Sequence, residues 1–334
     1  MARIPDPWNA DRQVSSGAMS PQPSVGVIYN ARSHRNKGRT PGKTPSAAID
    51  LAEPRTKADI PEALRRFAAN GIDCLVISGG DGTVRDVLSL GRDIFTDGWP
   101  AIAVLPRGKT NALNADLGAP ADWSLNEAVE AFVNGRRLKR RPLEIRSRME
   151  SESRTMFGFI LGAGIFTLGV NSGQDAHRMG FFDSLAVGLT SLWGIGQTIF
   201  GSSKSSWRRG TVMRLTDAQT GVELPHSRYG EQGRRSILLA STLNRMPLGI
   251  KLFGKGQKGI RLAVLDAPRR RIMGFVPAML AGWHPRWLDR GGLHHLSVEG
   301  FEMEIGDKFV LDGETFEAGS YVVMQGPHLS FVAP

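Results

Sequence analysis

Two patterns of hydrophobic and polar positions divide this chain. In its first part, short runs that are apolar at nearly every position alternate with segments whose apolar residues recur every three or four positions. Residues 25–30, 74–77 and 101–105 are runs of the first kind, as expected of strands buried on both faces. Helical spacing lies between and after them. Ile60, Leu64, Phe67 and Ala68 share one face, with Gly71 as the stop, and Val84, Val87 and Leu88 share another. Residues 111–117 predict a third helix closed by Gly118. Ser124-Leu-Asn-Glu127 is a capping box that opens a fourth, with Val129, Phe132 and Val133 inward and Gly135 at its end. Repeated strand–turn–helix units predict an α/β domain with a parallel sheet over residues 25–135.

Beyond Gly135 the helical period gives way to many short β-like runs. They lie around 143–146, 156–161, 211–216, 236–242, 260–265, 296–305, 308–312 and 321–324. Such a series predicts a mainly antiparallel, β-rich domain over residues 136–334, its last strand free to return to the first domain. Two apolar segments interrupt it. Residues 181–200 carry one charge, Asp183, but their Gly, Ser, Gln and Thr content favours a core or surface helix over a membrane span. Residues 273–288 place Phe275, Trp283 and Trp287 between basic residues. That is the pattern of an interfacial segment, or of a packed loop and helix, since Pro277 and Pro285 break any continuous helix.

Composition adds bounds. A chain of 334 residues that is 41% hydrophobic can bury two cores, and its single cysteine excludes a disulfide framework. Residues 1–24 hold no long apolar run, so neither a secretory signal nor an anchor is expected there, and the segment reads as a disordered tail. The net charge of +10 calls for anionic partners. Much of it sits in Arg136, Arg137, Lys139, Arg140, Arg141, Arg146 and Arg148, and again in Lys251, Lys255, Lys258, Arg261 and Arg269 to Arg271. A solvated basic face and a membrane-facing surface both fit such runs. Zinc-finger spacing, RNP motifs and recognition-helix patterns are absent, so no nucleic-acid partner is expected.

The candidate chemistry gathers in the glycine turns after two of the strands. Ser78-Gly-Gly-Asp-Gly-Thr-Val-Arg-Asp86 runs from strand through turn into helix. Its glycines admit phosphate to backbone N–H groups, and the helix start adds positive charge. A carboxylate there, Asp81, suits a cation or a proton in transfer, though Asp-Gly is also an ordinary turn pair. Pro106-Arg-Gly-Lys-Thr-Asn111 repeats the arrangement after the next strand, and two such turns at one end of a parallel sheet make a shared crevice. Asn30 and Ser33, after the first strand, can serve a phosphate or ribose or simply shape a turn. Gly42-Lys43-Thr44 and Gly108-Lys109-Thr110 lack the spacing of a P-loop.

These motifs resemble those of the diacylglycerol kinase catalytic-domain family, which includes sphingosine kinases and bacterial lipid kinases. Gly79 to Thr83 is similar to its Gly-Gly-Asp-Gly-Thr loop, which NAD kinases share. Pro106, Gly108 and Asn111 match its second turn, and Asp312-Gly313-Glu314 matches its late Asp-Gly-Glu, which on its own reads as a hairpin turn. Gly162-Ala-Gly164, residues 178–180 and residues 326–331 extend the likeness. The resemblance implies a first domain like that of phosphofructokinase and NAD kinase. It implies a nucleotide site of Asn30, Ser33, Thr56, Gly79, Gly80, Asp81, Gly82, Thr83, Val84, Arg85, Pro106, Gly108, Lys109, Thr110 and Asn111, although Thr56 serves equally well as a helix cap. Glu314, with Asp312 beside it, would deprotonate a substrate hydroxyl, and Asp81 would hold the Mg²⁺ of ATP or assist the base. Ala31 stands for a usual Pro, Lys109 for a phosphate-binding Thr, and Ala112 for an Asp. Lys258-Gly-Ile-Arg-Leu262 puts a cation where relatives bind a structural Mg²⁺, so no metal is expected there. The implied protein is cytoplasmic, peripheral to the inner face of an anionic membrane, and phosphorylates a lipid alcohol. An NAD kinase-like enzyme and a non-catalytic lipid or nucleotide sensor are the alternatives.

Overall fold

The computed structural model describes residues 22–40, 46–148, 155–164, 167, 210–253 and 258–334. Residues 1–21, 42–44 and 178–180, the apolar segment 181–200 and Lys255 lie outside these. The first sheet has six strands in the order β2 (Ala48–Ala52), β1 (Ser24–Tyr29), β3 (Cys74–Gly79), β4 (Ala101–Pro106), β18 (Leu329–Ala333) and β5 (Arg136–Arg140). The first five run parallel and β5 is antiparallel at the edge. Every residue of β3 is buried, as its unbroken apolar run requires. Cys74 lies in that strand, where burial pushes its thiol up to about 12 and leaves it inert.

Helices cover both faces of this sheet. On one side α1 (Ile60–Ala69) presents Ile60, Ala63, Leu64 and Phe67, and α2 (Asp81–Gly91) presents Val84, Val87 and Leu88. Leu64 and Phe67 are fully buried, each worth about 1.5–3 kcal/mol of transfer free energy. On the other side α4 (Leu125–Asn134) opens with the Ser124/Glu127 capping box and packs Leu125, Ala128 and Val129 inward. Val133, expected inward, is 58% exposed. The helix buries only its first half, and its last turn carries Phe132 under the Arg137 guanidinium instead. Sequence reading also missed the two edge strands, the short β2 and the strongly basic β5.

The second domain is a sandwich of two six-stranded sheets. One has the order β10 (Arg234–Arg235), β9 (Thr211–Asp217), β14 (Gly300–Ile305), β17 (Gly319–Gln325), β6 (Leu143–Ser147) and β7 (Thr155–Gly158). The other has β13 (Leu293–Val298), β12 (Ile260–Leu265), β11 (Ile237–Ser241), β8 (Ile160–Gly164), β15 (Phe309–Leu311) and β16 (Glu314–Phe316). All their pairings are antiparallel. The runs 156–161 and 296–305, each expected as one strand, are two apiece. Single residues, Phe159 and Glu299, break them and carry the chain from one sheet to the other. A core of Leu, Ile, Val, Met and Phe side chains fills the space between the sheets.

The two domains share apolar contacts. Phe157, Phe159 and Leu243 join the cluster beneath α2, and Ser89 of α2 accepts a hydrogen bond from the Phe157 amide at 2.9 Å. The expected architecture, an α/β domain followed by a mainly antiparallel β domain, is the one the chain adopts.

Candidate active site

The strand order 2-1-3-4 reverses between β1 and β3, the position at which open α/β sheets leave a crevice beyond their carboxyl ends. Asn30 follows β1 and Gly80 follows β3. The Asn30 side-chain amide donates to Thr83 Oγ1 at 2.8 Å, while its carbonyl oxygen accepts from the Arg32 amide at 3.0 Å. Asn36, which sequence reading did not single out, is buried and donates to the carbonyl oxygens of Asn30 (2.9 Å) and Ser78 (3.1 Å). It ties the loop after β1 to the end of β3. An Asn in a polar loop carries no local signal of that task.

The two glycine turns touch. A Cβ on Gly80 would lie 2.8 Å from the Gly108 Cα, and one on Gly108 would lie 2.6 Å from the Gly80 Cα. Backbone is on both sides, so only glycine permits the approach. Asn111, at φ 50°, closes the second turn: its Oδ1 accepts from the Gly108 amide at 2.7 Å and its Nδ2 donates to the Gly108 carbonyl at 2.9 Å. Asp81 joins the pair. Its Oδ1 accepts from the Ala112 amide at 2.7 Å, at the start of α3 (Ala112–Leu117), so the carboxylate of one turn caps the helix that leaves the other. Burial raises the Asp81 pKa, and the amides of Ala112, Leu113 and Asn111 pull against it.

The late Asp-Gly-Glu forms the facing wall. Asp312 (φ 47°) and Gly313 (φ 82°) are the two central residues of a hairpin that pairs Leu311 with Glu314, so the motif is a turn, and that turn lines the cleft. The Asp312 carboxylate accepts from the Phe159 amide (3.0 Å) and the Ile160 amide (2.9 Å). Burial, and then the neighbouring Asp81 charge, push its pKa up to about 7. Arg85, buried on α2, pairs with Glu314 and donates to the Leu311 carbonyl at 3.2 Å and to Asp86 at 2.9 Å. Asp86 also meets Lys57 Nζ at 2.5 Å. Charges therefore alternate across the cleft from Lys57 through Asp86 and Arg85 to Glu314, joining the two domains.

Between the walls lies a cleft of about 650 Å³ lined by Asn30, Ser33, Gly80, Gly82, Thr83, Arg85, Asp86 and residues 312–315. The other sequence-predicted residues stand around it in different ways. Val84 turns its side chain into the core, and Gly79 and Pro106 end their strands. Lys109 and Thr110 are exposed on the second turn. Thr56 sits in the turn before α1, its amide donating to Asp59 at 2.7 Å, which is the capping role. Arg107 was not foreseen. Its guanidinium donates to the Trp123 carbonyl at 2.7 Å, and burial together with Arg39 and Arg35 lowers its pKa, so positive charge crowds beside the second turn.

The family model of the diacylglycerol kinase catalytic domain matches residues 24–142. That stretch of the chain is therefore similar to a diacylglycerol kinase catalytic domain. It contains both glycine turns, Asn30 and the α2 segment that carries Arg85. No curated protein matches the chain. A solved structure named as a diacylglycerol kinase from Bacillus anthracis str. Sterne is 13% identical, with a TM-score of 0.59, covering 94% of this chain and 98% of its own. Two more from that organism bear the name provisionally. They are 15% and 14% identical, with TM-scores of 0.62 and 0.63 and the same coverage. At such identities the likeness is one of fold, and at 94% coverage it runs through both domains.

Proposed function

We propose that the protein is an ATP- and Mg²⁺-dependent lipid kinase that moves the γ-phosphoryl group onto the hydroxyl of a lipid alcohol at an anionic membrane surface. One observation carries the reading. A glycine turn at the switch point of a parallel sheet, backed by a second turn in contact with it, faces across an open cleft a half-buried carboxyl whose pKa is pushed up to about 7.

Phosphoryl transfer asks for positioning and for charge to offset the phosphates. The amides of the turn at Gly80 and Gly82 and the start of α2 can take phosphate oxygens, while Asn30 and Thr83 fix the edge of that cradle. Asp312 would take the proton from the acceptor hydroxyl. The hydroxyl's oxygen then bonds to the γ-phosphorus as the bond to the β-phosphate oxygen breaks and ADP leaves. A carboxyl that titrates near neutrality suits a general base, and its two backbone hydrogen bonds fix its direction. Glu314, held by Arg85, is the weaker candidate for that proton. Asp81 and Asp312 are carboxylates buried close enough for one to raise the other, an arrangement that a divalent cation relieves. Asp81 would hold the ion, which when bound offsets phosphate charge.

Incubating the protein with labelled ATP and extracted membrane lipids, followed by lipid mass spectrometry, tests this. One class of lipid alcohol should gain a phosphate, and Asp312→Asn should abolish the gain. Phosphorylation of NAD in its place would assign an NAD kinase-like enzyme. Tight ATP binding without turnover, unchanged in Glu314→Gln, would assign a sensor.

A further inference from the structure

Residues 269–291 form a surface that the cleft does not use. Three short helices, α5 (Arg270–Gly274), α6 (Val276–Leu280) and α7 (Trp287–Gly291), break where Phe275 and the prolines require. Their inner side is apolar. Ile272, Met273, Met279 and Leu288 pack with Leu265 and Leu293, which fixes the group on the edge strands of the second sandwich sheet. Phe275, Trp283 and Trp287 are in mutual contact, with ring centroids 5.3, 5.1 and 6.4 Å apart; Trp287 also packs against the inner cluster, Phe275 is half-buried, and Trp283 faces outward. Trp283 is 48% exposed. Arg270, Arg271, Arg286 and Arg290 are exposed around them, and the Arg271 guanidinium lies 5.2 Å from the Trp287 ring centroid. Between residues 267 and 292 five arginines stand against one acid, Asp289.

We infer that this surface docks the protein on an anionic lipid bilayer, with Trp283, backed by Phe275 and Trp287, entering at headgroup depth and the arginines pairing with lipid phosphates. It deepens the lipid-kinase reading and rests on it for the site's purpose. Charge complementarity selects the occupant. Tryptophan has an apolar body and a polar N–H, which suits it to the headgroup layer. Arginine lays its stem along apolar surface while its guanidinium reaches phosphate. A partner helix would need a continuous groove, and helices of five residues at changing angles provide none. No helix of the described residues is long and apolar enough to cross a membrane, so docking by surface is the mode open to this part of the chain.

The surface is also connected to the cleft. The Lys251 amide donates to the Leu280 carbonyl at 3.0 Å, and the Arg245 amide donates to Asp116 at 2.7 Å, on the helix whose first amide Asp81 caps. Six residues of chain reach at most roughly 20 Å, so the docking surface stays within that span of the end of α3.

The test is co-sedimentation with vesicles of phosphatidylcholine alone or mixed with phosphatidylglycerol, at low and high salt. The wild-type chain should bind the mixed vesicles, weaken with salt, and ignore the neutral ones. Arg270→Ala with Arg271→Ala should cut partitioning roughly fivefold per charge lost. Trp283→Ala should lower binding to both salt series while leaving a cooperative unfolding transition and the ATP affinity in place, since Trp283 is half exposed and loses only its ring contacts to Phe275 and Trp287. Equal binding by wild type and variants, or none by wild type, overturns the inference. So does a wild-type dimer in analytical ultracentrifugation that Trp283→Ala dissociates, because the patch would then belong to a second copy. Vesicle binding needs no turnover. A chain that binds vesicles and phosphorylates nothing refutes the kinase reading alone, and one that phosphorylates a soluble short-chain acceptor but ignores vesicles refutes this inference alone.

Discussion

Asp312 is half-buried and beside another carboxylate, and that fixes the sign of its pH effects. With its pKa moved from the ordinary 3.8 to about 7, the folded chain keeps a proton that the unfolded chain has lost across that window. The contribution to stability is full below the lower value and is lost as pH rises through the upper one. Asp312→Asn, followed by urea midpoints across that range, should flatten the fall. Activity runs the other way. The kcat/KM of the wild type, which reports the free enzyme, should rise through about pH 7 as the base ionises, and Asp312→Asn should lower kcat by roughly 10²–10⁴-fold. Arg85 makes a separate prediction. Arg85→Met strands the Leu311 carbonyl and frees Glu314, at a cost of about 1–3 kcal/mol in denaturant unfolding. Sequence alone located Asp312, Glu314 and Arg85 as residues of interest. It could not pair Arg85 with Glu314, because partners so far apart in the chain leave no periodicity to read.

At the scale of the element, the contact between the turns after β3 and β4 is the feature most exposed to single substitutions. Gly80→Ala or Gly108→Ala forces a methyl against backbone at under 3 Å, where no side chain can yield. Either change should part the turns and abolish ATP binding by isothermal titration. Gly82→Ala is the contrast. Its new Cβ would meet only the far end of Arg85, at 3.8 Å, so the fold should hold or gain up to about 1 kcal/mol from helix propensity. Because Gly82 lines the cleft, ATP affinity should still fall. These turns were legible in advance since buried apolar runs, glycines and helical spacing all pointed to one local structure. The edge strands β2 and β5 were not. Arg136-Arg-Leu-Lys-Arg140 offers one apolar residue, as an edge protected by charge does, and reads from sequence as a solvated run.

At the scale of the whole molecule, the chain folds back on its own start. β18 lies between β4 and β5 and buries Leu329, Phe331, Val332 and Ala333 completely. Phe331→Ala should cost about 3–5 kcal/mol by thermal or urea unfolding, and removing residues 329–334 should leave no cooperative transition. The α/β-then-β order was readable because the hydrophobic period changes near Gly135. The way the sandwich divides its strands was not, because a single residue such as Phe159 or Glu299 sends a continuous apolar run into two sheets.

That final strand has a consequence for the life of the protein. Residue 333 must leave the ribosome before the first sheet can be completed, so a chain stopped before Leu329 lacks the strand that joins β4 to β5. The first sheet is therefore completed from both sides of the second domain, and its integrity depends on a strand more than 220 residues away from its neighbour β4 in the chain.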